Sequence, residues 1–187
     1  MSVSTIDIVN RALDKVGYGA ITSFTDGTKT SSLAQRTWDI VLDAVLRDHP
    51  WNFAVVRTIL ASTTSTPSWG FSYKFPLPDD CLRVLDVLDL SAGEYQIEGR
   101  FILADEDTLY LRYISRITDT SKYDGLFIEC LASRLAVEMC ESLTQSNAKK
   151  NIFIQEYQEL LSRAKYVDAV ENPPVTFEED TWIEVRY

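Results

Sequence analysis

Asp48-His49-Pro50-Trp51-Asn52-Phe53-Ala54 is the stretch at which the chain changes its period. Before it, apolar residues recur every three or four positions, as on one face of a helix. After it they alternate, as on a half-buried strand. Pro50 stops the preceding helix, because the residue before a proline avoids the helical basin. The run reads as a sharp helix-to-strand corner. Trp51 and Phe53 plug it and His49 assists the turn. Trp51 is expected to be buried between the helices and the strands.

Upstream of the corner, two helices are predicted. Ser4 caps the first, with Asp7 at its third position as a variant capping box. Ile6, Val9, Leu13 and Val16 share one face, and Gly17 follows as a left-handed C-cap. The second helix runs over about 28–48. Leu33, Ala34, Trp38, Val41, Ala44 and Val45 make its buried stripe. Arg36, Asp39, Asp43 and Arg47 form a wet face, with Asp43 and Arg47 spaced as an i,i+4 pair.

Downstream, strands are predicted over 53–60, 71–75, 82–90, 95–98, 101–104 and 108–114. Gly99-Arg100 closes a hairpin between the fourth and fifth. Residues 61–68 are a Ser/Thr-rich connection. So many short strands suggest a small antiparallel sheet or barrel-like sandwich. Helices return near Lys122 in a nearly all-apolar segment. Gln145-Ser146-Asn147 breaks it, and a last helix covers about 148–170 with Ile152, Phe153, Tyr157, Leu160, Leu161 and Ala164 as its stripe. The fold class is therefore α+β. Residues 1–50 and 122–170 form one discontinuous four-helix unit, 51–121 a β-insertion, and 171–187 an extended tail.

Composition narrows the function. The chain has 187 residues, 45% hydrophobic and 25% charged, the profile of an ordinary globular domain. No apolar run approaches the roughly 18 residues of a membrane span. The first residues carry no basic n-region and no apolar h-region, so an intracellular, reducing site of synthesis is the expectation. Three cysteines, Cys81, Cys130 and Cys140, make no CxxC pair, and His49 is the single histidine. No metal or cofactor is expected. The net charge of −10 disfavours duplex DNA binding, which needs clustered Lys and Arg. The excess acid lies in the middle and the end of the chain.

No catalytic signature stands out: no GxSxG, Walker loop, dinucleotide fingerprint or HExxH. Carboxylate chemistry needs only two acids. Asp79-Asp80, Asp105-Glu106-Asp107 and Glu178-Glu179-Asp180 could supply them, with Trp51, Trp69 or Tyr73 stacking on sugar. Solvated turns and core aromatics are the plainer reading. The tail is harder to explain, since Phe177, Trp182, Ile183, Val185 and Tyr187 are too apolar for a free end. From physics alone it either folds back on its own β-region or adds a strand to a partner; the latter, a neighbouring subunit or a larger assembly, is taken as its docking target.

Several runs resemble the tail tubular protein A family of short-tailed phages. They are Ile6-Asp7-Ile8-Val9-Asn10-Arg11-Ala12-Leu13-Asp14-Lys15-Val16-Gly17 with Ile21-Thr22-Ser23, then residues 42–54, Phe75-Pro76-Leu77-Pro78-Asp79-Asp80-Cys81-Leu82-Arg83-Val84, Tyr95-Gln96-Ile97-Glu98-Gly99-Arg100 and Leu111-Arg112-Tyr113-Ile114. The resemblance covers about residues 4–170, and the His-Pro-Trp-Asn-Phe corner is its specific part. It implies a non-enzymatic adaptor, or gatekeeper, of the head-to-tail connector in the virion, made in the host cytoplasm. Such adaptors form a ring of about twelve copies below the portal protein and bind the tail nozzle or tube protein beneath. DNA passes through the ring without specific binding. The resemblance also keeps a second function open, since a polysaccharide-degrading activity has been proposed for some members. A ring needs two different apolar surfaces per subunit, and the apolar segment 126–139 and the tail are the candidates.

Overall fold

The computed structural model describes residues 3–171. Four helices, α1 (Thr5–Val16), α2 (Lys29–Asp48), α3 (Gly125–Thr144) and α4 (Asn147–Glu171), enclose one apolar core. Between α2 and α3 lie six strands: β1 (Val55–Ala61), β2 (Tyr73–Pro76), β3 (Cys81–Val87), β4 (Tyr95–Glu98), β5 (Phe101–Ala104) and β6 (Thr108–Ser115). The α+β class with helices flanking an antiparallel β-region is the one the sequence implies.

Local chemistry explains the helix ends. The Ser4 hydroxyl accepts from the Asp7 amide at 3.2 Å, and the Asp7 carboxylate accepts from the Ser4 amide at 2.9 Å. The Ser4 hydroxyl also donates to the Asp7 carboxylate at 2.7 Å, and this bond first, then that from the Ser4 amide, holds the Asp7 carboxyl below its ordinary range. Gly17 sits at φ +85°, where a side chain would be strained, and its amide donates to the Leu13 and Asp14 carbonyls. Thr28 and Ser31 repeat the reciprocal cap on α2, and Asp124 caps α3 through the Leu126 and Phe127 amides. The third helix thus starts three residues later than Lys122, because Asp124 supplies the cap.

α3 is the central helix and packs against α1, α2 and α4. Phe127, Cys130, Leu131, Leu135, Ala136, Met139 and Cys140 are all fully buried. Its near-continuous apolar surface is consumed by its own core, so the expectation that segment 126–139 offers a free ring surface is corrected. The α4 stripe needs a correction too. Tyr157 and Ala164 are buried, but Ile152 is exposed, and the buried polar residue Asp168 extends the contact towards the C-terminal end.

The strands form two three-stranded antiparallel sheets, ordered β1-β6-β3 and β2-β5-β4. Leu60, Phe75, Cys81, Val87, Ile102, Ala104, Leu109, Leu111 and Tyr113 fill the space between them, which makes a small sandwich. The first and last strands of the insertion are neighbours, with Val55 opposite Ile114. Entry and exit therefore lie side by side, as insertion into another unit requires. Along β6 burial alternates: Leu109, Leu111 and Tyr113 point inward, while Tyr110 and Arg112 face out. The β4–β5 hairpin closes at Gly99, φ +58°. Two register shifts bend β3, which ends at Val87, one residue before the last amide that reaches β6, that of Leu88. The strand predicted at 71–75 begins at Tyr73 and continues through Pro76, so Phe71 belongs to the preceding loop.

Candidate interaction surfaces and the helix–strand corner

The corner is built first from α2. Its last turn needs acceptors satisfied, and Trp51 Nε1 donates to the Val45 carbonyl at 2.9 Å. That bond folds the indole back under the helix, where it is 1% exposed. Phe127 of α3 meets it edge-on at 5.2 Å and Phe53 stacks at 6.4 Å, with Tyr123 against both Phe53 and Phe127. Trp51 therefore belongs to the helical core and plugs its mouth at the sandwich side. A buried indole cannot stack on sugar, which removes one of the three aromatics suggested for that role.

α4 closes the corner from the other side. The Asp168 carboxylate lies 2.9 Å from His49 Nε2 and accepts from the Asn52 amide at 3.0 Å. The Asp168 carbonyl, in the last described turn of α4, accepts from Asn52 Nδ2 at 2.7 Å. Pro50 leads the chain from His49 to Trp51 between these bonds. One turn earlier in the corner, Asp48 accepts from the Tyr157 hydroxyl at 2.8 Å. Burial first, and then this bond, push the Tyr157 phenol well above its ordinary titration. His49 lies at the turn, as its place before Pro50 implies, whereas the role of Asp168 is not evident from its neighbours in sequence. The available signal was a lone acid four residues after Ala164, on the buried stripe.

Three residues of the α2 face read as wet, Asp39, Asp43 and Arg47, reach the β-region, while Arg36 turns back to the Ser32 carbonyl. Arg116, just after β6, donates to Asp43 at 2.5 Å and to Asp39 at 2.6 Å. Arg47 donates to the Leu82 carbonyl, and Arg83 Nη1 donates to the Arg47 carbonyl at 3.0 Å. Asp43 and Arg47 thus serve the β-region instead of the expected i,i+4 pair. Asp80 accepts from Ser115 at 2.5 Å and from the Tyr113 hydroxyl, whose titration is pushed up to about 12 by burial and then by Asp80.

Among the described residues, large apolar side chains are exposed on the first sheet, on α2 and on α4, where Ile152, Tyr166 and Val170 face out. On the outer face of the first sheet, Ile59 stands opposite Tyr110, with Leu88 beside them and Arg57 opposite Arg112. On α2, Ile40 is 73% exposed, beside Arg36, Arg134 and Glu138. A further surface is polar and aromatic. Trp69, 83% exposed, lines a groove with Phe71, Lys74, Gln96, Glu98 and Phe101, and Lys74 Nζ sits 3.9 Å from the Phe101 ring centre.

The carboxylate runs are dispersed. Asp80 is engaged at the base of β6, and Asp105 accepts from the Ser72 amide and hydroxyl at 2.8 and 2.9 Å. Among the described residues, Glu98 is the groove's one carboxylate. Among the described residues, the carboxyls with displaced titration (Asp7, Asp26, Asp119 and Glu141) are all held low by hydrogen bonds, from Ser4, Thr22, Ser121 and Lys150 in turn. No cluster of three His, Cys, Asp or Glu suited to a metal occurs among the described residues. The three cysteines are buried, and burial pushes the Cys130 thiol up to about 11. No helix among the described residues is long and apolar enough to cross a membrane. Phe177, Trp182, Ile183, Val185 and Tyr187, with Glu178-Glu179-Asp180, lie outside the described residues.

No protein-family model matches the chain, and no curated protein matches it closely enough to count as a relative.

Proposed function

We propose that this protein is a structural adaptor of a phage head-to-tail connector, forming a ring between the portal protein and the tail nozzle. The observation that carries this reading is a pair of unlike exposed apolar surfaces on different units of one subunit. One is the sheet face at Ile59, Leu88 and Tyr110, and the other is the α2 face at Ile40. A ring joins two different patches of identical subunits, whereas a two-fold dimer needs only one patch. The sequence resemblance over residues 4–170 names the assembly in which such a subunit would serve. Net acidity suits a channel that DNA must cross without sticking, since like charges repel.

The test is the mass of the particle formed with the portal protein of the same phage, followed by sedimentation. A ring on the portal is expected. Ile59→Glu and Ile40→Glu should each abolish it while the monomer stays folded. A protein that remains monomeric beside assembled portal overturns the reading. Binding of duplex DNA with sub-micromolar affinity at physiological salt would count equally against it.

The groove at Trp69 favours one second reading, a glycan hydrolase, because an exposed indole beside a carboxylate is the beginning of a sugar site. Such an enzyme needs a second carboxyl within about 5 to 10 Å of Glu98. Release of reducing ends from host polysaccharide, lost in Glu98→Gln, would establish it. Absence of release with a competent ring assembly would exclude it.

A further inference from the structure

The outer face of the first sheet carries two rungs that the helical unit leaves uncovered. In one, Arg57 stands directly opposite Arg112, with Asp86 next to Arg112 on β3. In the other, Ile59 stands opposite Tyr110, and the Leu88 amide donates to the Tyr110 carbonyl at 2.9 Å. Like charges directly opposite each other destabilise an antiparallel pair. Among the described residues neither arginine is in an ion pair. A cationic rung beside an apolar one is unexpected on a chain of net charge −10. Arg and Tyr around aliphatic side chains are the composition of a binding surface.

We infer that this face is the docking site of the chain's own segment 175–187, which shields it in the free protein. Charge is the first argument. The segment carries Glu178, Glu179, Asp180 and Glu184 against Arg186 alone, interleaved with Phe177, Trp182, Ile183, Val185 and Tyr187. It is the acidic, aromatic complement of a face made of two arginines, with Asp86 beside one of them, and three large apolar side chains.

Position is the second argument. α4 is described as far as Glu171, three residues beyond Asp168, and Asp168 is bonded to His49 and Asn52. β1 begins three residues after Asn52. From that corner Ile59 is at most about 25 Å along the chain, while residues 172–187 can span about 50 Å when extended. The corner thus delivers the segment beside the sheet that would hold it. Covalent attachment gives an effective concentration on the order of mM, so the chain's own segment outcompetes that of a second copy in dilute solution.

Shielding needs no assumption about the connector. Its consequence for assembly rests on the adaptor reading. A neighbour using the Ile59 face must displace the segment, which is then free to meet the portal.

The test uses the full chain with a benzophenone amino acid in place of Leu88, an exposed position. On irradiation, crosslinks to residues 175–187 within a single chain are expected, read by gel mass and peptide mass spectrometry. The double change Arg57→Glu with Arg112→Glu should reduce them at least tenfold. Adding Glu178→Lys, Glu179→Lys and Asp180→Lys to that variant should restore them. Crosslinks only between chains, crosslinks to other segments, none at all, or a yield indifferent to charge reversal each overturn the inference. A positive result alongside failure to form a ring on the portal would keep the shielding and discard the adaptor.

Discussion

The helical unit and the sandwich solve burial differently, and the difference tells where partners bind. α3 is surrounded by three helices and gives up nearly its whole surface, down to Ala132 and Ala136, to one core. That core is closed by the aromatic group of Trp51, Phe53, Tyr123 and Phe127. The sandwich has a core of short strands, and each sheet keeps its other face outward. A strand buries every second residue, so the outward set is free to be selected for something else. In β1 and β6 that set is Arg57, Ile59, Tyr110 and Arg112. In the helical unit the exposed apolar side chains Ile40, Ile152, Tyr166 and Val170 sit on the outer helices, whereas in the sandwich Ile59, Leu88 and Tyr110 share one sheet face with two arginines.

The sharpest way to break this contrast is to empty both cores. Trp51→Ala and Phe75→Ala each remove a fully buried aromatic, one per region, and each should cost about 3 to 5 kcal/mol. Urea melts followed by tryptophan fluorescence and far-UV circular dichroism check this. Trp38 and Trp51 report the helical unit, so in Phe75→Ala a dichroism change that precedes the fluorescence change would show the sandwich unfolding alone. A cost under about 1 kcal/mol at Trp51 would contradict its burial.

Alkali should separate the regions next. Burial raises Tyr123 to about 12 and Cys130 to about 11, and raises Tyr157 as well; in the sandwich Tyr113 is raised to about 12. Each group is neutral when protonated, and its folded value lies above its unfolded one. The stability from keeping it protonated is complete below the unfolded values, near 9.0 for cysteine and 10.0 for tyrosine. It is lost as the pH climbs from there to about 12. The urea midpoint should fall above about pH 9, and a midpoint unchanged to pH 11 would refute the burial of these groups.

A smaller effect belongs to the corner. Asp168→Ala removes the carboxylate that faces His49 and the Asn52 amide, and should cost about 1 to 3 kcal/mol. Hydrogen exchange should show the loss concentrated in the last turns of α4 and in residues 49–54. Uniform loss along α4 would mean that Asp168 is not its anchor. Smallest is the junction. Arg116→Ala breaks two partly exposed ion pairs to α2 and should cost about 1 kcal/mol or less. The cost should shrink in 1 M salt, and a salt-insensitive loss would point to packing instead of charge.

Short-range chemistry made much of this fold legible in the sequence. The Ser4–Asp7 cap, Gly17, the Gly99-Arg100 hairpin and the alternation of β6 are each decided by residues within a few positions of one another. The Pro50 stop and the plugging role of Trp51 were legible for the same reason. Three features were not, because each depends on partners distant in sequence. Asp168 looks like an ordinary helix acid until α4 lays it against His49 and Asn52, 119 and 116 positions away. Asp43 and Arg47 have ideal spacing for each other, yet the sandwich brings Arg116 and Leu82 closer to what each side chain needs. Segment 126–139 reads as surplus apolar surface from sequence, since periodicity gives the amount of apolar surface but not the number of neighbours that will cover it. Only the packing of three helices around α3 settled that it was core, while Ile59, Leu88 and Tyr110 on the sheet and Ile40 on α2 stay exposed.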